Sequence, residues 1–351
     1  MQQVKKILFI IGSPNQTTQM HKIASCLPDY DCYFSQFYSE SPIMKLAIKL
    51  GLADNSILAG HFKEKADRYL EEHNLKNDYA QTVYNNKYDL VVSCTDLIVP
   101  ESVRKSKTIF VQEGMTDALN SWSKLVKALK LPPYFAVGTS LNGASNICDI
   151  YCVASDGYKN HFSSLGTDPE KIAVTGIPNF DNVNRDLVND FPYKGYVLVA
   201  TSDIRETLGF DNRPKFIKQV TKLAAGRKLI FKLHPNEKVD RAIAEIKKYA
   251  PADTLVYTSG NINHMIANCD ELITQYSTVA YVGLALDKKV HSYFDINNLK
   301  KLVPIQNRGK SAENIARICR DYIDFDGSPV DFLKNFRMEE PVTAEDYRHT
   351  A

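Results

Sequence analysis

Short apolar runs punctuate the chain and alternate with stretches of helical period. Residues 7–11 (ILFII), 88–93, 108–111, 150–153 and 172–176 are largely apolar and short, which predicts strands covered on both faces. Helical spacing fills 42–52 and 60–84 between the first two. Such alternation predicts a parallel sheet with helices on both sides. The pattern restarts at 196–200 (YVLVA), after a Pro192-Tyr193-Lys194-Gly195 junction. Further strands are expected at 229–233, 254–257, 271–274 and 290–294. Helices are expected near 213–225, 238–249, 261–268, 278–286 and 311–323.

The pattern therefore predicts two Rossmann-like open-sheet α/β domains, 1–185 and 186–323. A polar tail, 324–351, would pack back on the first. Parallel strands end on one edge, where open sheets bind ligands. Two such domains facing each other make a cleft, so the informative residues should follow strands.

The length of 351 residues suits two domains of ordinary size. Hydrophobic residues at 44% and charged residues at 24% are globular proportions. A net charge of +2 gives no footprint for nucleic acid. The seven cysteines include one close pair, Cys148 and Cys152, with no second pair to complete a zinc set. They read as reduced thiols of a cytoplasmic protein. No run approaches the ~18 apolar residues of a membrane span, so any membrane contact is expected to be peripheral, at the inner face.

The sharpest motif is Lys232-Leu233-His234-Pro235-Asn236-Glu237. Pro235 has no N–H and ends the ladder, leaving His234 just past a strand. Its imidazole there suits a phosphate oxygen and, equally, a backbone carbonyl. Gln275-Tyr276-Ser277-Thr278 joins a strand to a helix. With Ser277 or Thr278 as N-cap, free N–H groups favour an anion, although capping alone also accounts for the pair. Thr201 and Ser202 follow the first strand of the second domain and can meet a phosphate. Tyr257 follows another strand, where it faces a base or ends a turn. In the first domain Glu113, between a buried strand and Gly114, is a candidate general base. Asp117 is its rival, and capping or solvation is the alternative for Glu113. Gly12 and Ser13 follow the first strand on the expected acceptor side, in neither a G-x-G-x-x-G nor a P-loop setting.

Residues 148–181 resemble a segment of the UDP-N-acetylglucosamine 2-epimerases and related transferases of the GT-B group. The likeness runs from Cys148-Asp149-Ile150-Tyr151-Cys152 through Gly166-Thr167-Asp168-Pro169-Glu170-Lys171 to Thr175-Gly176-Ile177-Pro178-Asn179. The second domain, with His234-Pro235 and then Tyr276-Ser277-Thr278, is similar to CDP-glycerol glycerophosphotransferases and to bacterial sialyl- and Kdo-transferases. Those share a His-Pro motif and a later Ser/Thr pair at the donor phosphate. Some also carry an acidic-acidic-glycine motif, for which this chain has Gln112-Glu113-Gly114.

The resemblance covers most of 88–323. It implies a metal-independent glycosyltransferase of bacterial-type surface-glycan synthesis, using a CMP-, CDP- or UDP-linked sugar and no further cofactor. His234, Ser277 and Thr278 would hold the leaving phosphate, and Glu113 would deprotonate a glycan or lipid-linked acceptor. The alternatives are a CDP-glycerol-type glycerophosphotransferase, a 2-epimerase-like isomerase and a non-catalytic nucleotide-sugar binder. The epimerases' Ser-Gly-Gly segment and paired glutamates are missing from Ser277-Thr278-Val279-Ala280-Tyr281, which argues against proton abstraction from a sugar carbon. Gln275 stands where the transferases usually carry aspartate.

Overall fold

The first apolar run forms β1 (Lys6–Ile11), and every residue in it after Lys6 is buried. The computed structural model describes residues 4–51, 57–78, 86–136, 138–206 and 210–337. From β1 the chain runs through α1 (Pro14–Ala24), β2 (Asp31–Gln36), α2 (Pro42–Lys49) and α3 (Gly60–Glu72). It continues through β3 (Leu90–Ser93), β4 (Lys107–Val111), α4 (Ser121–Ala128), β5 (Ile150–Val153), α5 (Asp156–Leu165) and β6 (Ile172–Val174). These strands form a wholly parallel sheet in the order β2-β1-β3-β4-β5-β6.

A second series follows: β7 (Val197–Ala200), α6 (Arg213–Ala224), β8 (Leu229–Lys232), α7 (Val239–Tyr249), β9 (Leu255–Tyr257) and α8 (Ile262–Asn268). Then come β10 (Glu271–Thr274), α9 (Val279–Ala285), β11 (Lys289–His291) and α10 (Ile296–Leu302). Its strands make another parallel sheet, ordered β11-β10-β7-β8-β9. Helices α11 (Ser311–Ile323) and α12 (Pro329–Asn335) close the described chain.

Two compact units result. One holds the described residues of Met1–Asp181 and Asn307–Ala351, the other Asn182–Gln306. The 311–323 helix, expected in the second domain, lies in the first unit. Its stripe of Ile315, Ala316, Ile318, Cys319 and Tyr322 shares a core with Ile7, Phe9, Ile109 and Ile150. A helix with one continuous apolar stripe needs a sheet face to cover, and this is the face it covers. Phe332 of α12 is buried beside Tyr322, with ring centroids 5.1 Å apart. The chain leaves and re-enters the first unit at one spot. Asn307 donates its backbone N–H to the Asp181 carbonyl at 3.0 Å, and the Ser311 N–H reaches the Asp181 carboxylate at 2.6 Å.

Several boundaries differ from the expectation. Strand β2 and helix α1 are additional elements. The helix expected over 60–84 stops at Glu72, because Asn74 takes a left-handed φ of 50°, a conformation that ends helices. The rest of that segment from 79 on, residue 52 of the expected 42–52 helix, and residues 338–351 of the tail lie outside the described residues. The strand expected at 290–294 is Lys289–His291, and Ser292 donates its hydroxyl to the Gln275 carbonyl beyond it at 2.8 Å.

Candidate functional site

In the second unit the chain begins at β7, builds outward through β8 and β9, and returns to β10 on the other side of β7. The strand order reverses between β7 and β10, and the crevice outside the carboxyl ends at such a point is where open sheets take ligands. The loops ending there carry Thr201, Ser202, His234, Gln275, Ser277 and Thr278.

A buried polar network ties these loops together. Glu237, with no exposed side-chain surface, accepts from the Thr201 hydroxyl and, at 3.1 Å, from the His234 N–H. Its other oxygen lies 2.8 Å from an Arg213 nitrogen, an ion pair without hydrogen-bond alignment. Arg213, 2% exposed, also donates to Asp211 at 2.7 Å and to the Ser202 carbonyl at 3.1 Å. Asp211 accepts from the Gln275 amide at 2.8 Å, and Gln275 accepts from the Ser202 hydroxyl at 3.2 Å. The ends of β7, β8 and β10 are thus fixed relative to one another. Thr201 and Ser202, both buried, hold their hydroxyls inside this network.

His234 stands above the network with a third of its side chain exposed. The Asn236 N–H donates to its Nδ1 at 3.2 Å. An Nδ1 that accepts carries no proton, so in the neutral ring Nε2 is the donor. Asp203 lies 3.6 Å from Nδ1 and accepts from the Asn236 side chain at 2.8 Å. Beneath the loop, Lys232 is buried and bonded only to carbonyls in the described structure, Leu233 at 3.0 Å and Thr258 at 3.5 Å. Burial lowers its pKa from the usual lysine value. Ser277 is half-buried and accepts the Val279 N–H at 3.4 Å; Thr278 is exposed and is the N-cap without a side-chain bond. Tyr257 ends β9 with its ring 5.5 Å from Phe191.

In the first unit, Ser13 caps α1 in a reciprocal capping box with Gln16. Both residues then donate to Glu113 at the end of β4, the Ser13 hydroxyl at 2.6 Å and the Gln16 amide at 2.7 Å. The carboxylate is therefore half-buried, fixed by one bond to each oxygen, with lone pairs left over for a further proton donor. Gln112 orients the same loop, donating to the Gly114 carbonyl at 2.7 Å and accepting the Ala154 N–H at 2.9 Å. Gly12 is set by close approach: a Cβ there would come within 2.6 Å of Gln16 and 2.9 Å of Phe37. Asp117 is exposed and closes a different loop, accepting from the Thr139 N–H at 2.8 Å and its hydroxyl at 2.9 Å. His161 lies 3.3 Å from the Thr116 hydroxyl, and burial lowers its imidazole below the ordinary value.

The sequence reading missed Gln16, Arg213 and Glu237. Ser13-Pro14-Asn15-Gln16 is a capping-box spelling, which was the available signal for Gln16. Arg213 and Glu237 each have a near partner, Asp211 and the His234 N–H, but their pairing with each other and with Thr201 joins residues far apart in sequence. The Asp-x-Asp triplets Asp29–Asp31 and Asp324–Asp326 lie at the opposite, amino edge, where Asp31 pairs with Lys6 in register and Asp324 bonds Lys5. Among the described residues no cluster of His, Cys, Asp or Glu is suited to a metal.

Two parallel Rossmann-like units of this kind define the GT-B fold, and the chain has it. Among solved structures, it is similar to S. aureus MnaA with UDP (TM-score 0.56, 13% identity, 92% of this chain and 97% of that one). It is also similar to the Neisseria meningitidis UDP-GlcNAc 2-epimerase bound to UDP-GlcNAc (0.53, 11%, 90% and 100%). The wall teichoic acid polymerase TagF is a further neighbour (0.50, 12%, 91% and 89%). No family model and no curated protein matches the sequence.

Proposed function

We propose that the chain is a metal-independent transferase that takes a nucleotide-activated sugar on the carboxyl edge of its second unit. The observation that carries this reading is the His234 loop, where a backbone bond to Nδ1 leaves Nε2–H as the donor at the strand-order reversal. Lys232 supplies positive charge under the same loop, and Ser277 and Thr278 supply hydroxyls across it. Such fixed donors stabilise charge as it develops on a leaving phosphate. Glu113, held by Ser13 and Gln16, would take the proton of an acceptor hydroxyl on a glycan or lipid-linked saccharide. A CDP-glycerol-type glycerophosphotransferase is the second reading. It shares the phosphate contacts and differs in the group that moves, glycerophosphate being transferred by cleavage of the donor's pyrophosphate bond with CMP left behind. The helix start Ser277-Thr278-Val279 offers no acid for an epimerase's proton abstraction.

Thermal shift with CMP, CDP, UMP, UDP and GDP tests the reading. A nucleotide at 100 times its dissociation constant should add about 2.7 kcal/mol of stability. Stabilisation by none of the five would remove the donor site. Glu113→Gln then separates enzyme from binder. Turnover should fall roughly 10²–10⁴-fold with nucleotide affinity unchanged, whereas full turnover would take the base away from Glu113.

A further inference from the structure

Helix α4 and the segment after it carry two apolar faces. Val126 is fully buried, as a core-facing residue should be. Trp122, Leu125 and Leu129 recur at helical spacing on another side and are 46–59% exposed, and Leu131 and Phe135 continue the surface at 40% and 43%. The Trp122 indole donates to the Phe135 carbonyl at 2.8 Å, so its ring is held in place. Lys124, Lys127 and Lys130 flank the stripe, all exposed, and no Asp or Glu occurs between Asp117 and Asp149.

Helix α2, in the same unit, repeats the arrangement. Met44 and Ile48 pack on the core, while Ile43, Leu46 and Leu50 are 70%, 56% and 63% exposed beside exposed Lys45 and Lys49. One cavity, lined by Pro42, Ile98, Pro100, Leu131 and Pro133, joins the start of α2 to the end of the α4 segment. Of its acidic residues, Glu40 is tied down by the Glu101 and Ser102 amides at 2.7 Å and 3.3 Å, Asp96 is buried and accepts from the Gly143 N–H and the Ser145 hydroxyl at 2.8 Å and 2.6 Å, and Glu101 is exposed.

We propose that this face docks on a bilayer bearing anionic headgroups, with Trp122, Leu125, Leu129, Ile43 and Leu46 among the acyl chains and the lysines at the phosphates. Apolar stripes edged by lysine are the chemistry that an anionic lipid surface complements. A second copy is a poorer occupant. A two-fold interface sets a patch against itself, which would bring the lysines of both copies together with no Asp or Glu from 118–148 to offset them. The proposal is independent of the donor site and stands even if no nucleotide binds.

Trp122 is the chain's single tryptophan, so its fluorescence reports on the face directly. The full chain should cosediment with phosphatidylcholine vesicles containing phosphatidylglycerol, with a blue shift of Trp122, and bind pure phosphatidylcholine far more weakly. Each lysine contributes roughly fivefold to partitioning, so Lys124→Glu with Lys127→Glu and Lys130→Glu should lower it about a hundredfold or more. Trp122→Ser with Leu125→Ser should abolish binding while lowering the melting temperature only slightly, for the lost indole bond to Phe135. The proposal is overturned by absence of both cosedimentation and blue shift in the unmodified chain, or by variants that bind as it does. A concentration-dependent dimer lost in the Trp122→Ser, Leu125→Ser variant would assign the face to a second copy instead.

Discussion

At His234 the fixed tautomer is what gives the residue a definite expectation. Replacing the ring by alanine removes one donor to a charged oxygen and leaves the Glu237 network below untouched. His234→Ala should therefore weaken nucleotide binding by about 1.5–3 kcal/mol, the range for a hydrogen bond to a charged group, with an unchanged melting temperature. Isothermal titration showing full affinity would end the phosphate role. Glu237→Gln is the informative contrast. It removes one of the two carboxylates paired with the buried Arg213 guanidinium and leaves Asp211 in place, a loss of roughly 1.5–3 kcal/mol of stability, so its effect should appear in the melting curve first. Glu113 is a different case again. A glutamine there can keep both contacts, its oxygen accepting from the Gln16 amide and its NH2 donating to the Ser13 hydroxyl, so the variant removes the base with little change to the loop.

At the scale of elements, the short helix α9 makes a claim about charge. Replacing Ser277 by alanine together with Thr278 by valine should lower affinity for nucleotide phosphates much more than for the bare nucleoside, because a helix start responds to charge. Equal losses in parallel titrations would reduce the pair to capping. Most strands were legible because they are short, largely apolar runs between turn signals, as strands covered on both faces are, whereas β11 (KVH) was placed from the apolar-aromatic stretch that begins within it. Strand β2 escaped because DCYFSQ mixes polar and apolar residues at a sheet edge, and α1 because PNQTTQMHKIA is mostly polar. The positions of His234, Glu113 and Ser277 just past strands followed from the same pattern. The partnership of Ser13 with Glu113 did not, since it joins residues 100 apart through a strand order that no local signal encodes. The ion pair between Arg213 and Glu237 was hidden in the same way, although each also has a partner two or three residues off, because charged residues read as surface until their burial is known.

For the whole molecule, Glu271 predicts a pH response. Burial alone would raise its pKa, but bonds from Lys289, Arg227 and His291 outweigh that and bring it down to about 2. A carboxyl depressed in the fold stabilises it above its ordinary value, near 4.5, and loses that contribution as pH falls toward 2. Denaturant titrations of Glu271→Gln should therefore show a stability loss of roughly 1.5–3 kcal/mol at neutral pH that narrows through this acid window. A constant difference across it would exclude the linkage. The junction at Asp181 and Asn307 has a consequence of another kind, in the order of synthesis. The helix that covers Ile7, Phe9 and Ile150 is made only after the entire second unit, roughly 7–28 s later at ~5–20 residues per second. During that interval the second unit is free to fold as one uninterrupted stretch, while the first waits on the ribosome with a sheet face bare. A chain released before α11 should accordingly be retained by chaperones and cut readily by protease within the first unit, although every strand of both sheets has already been translated.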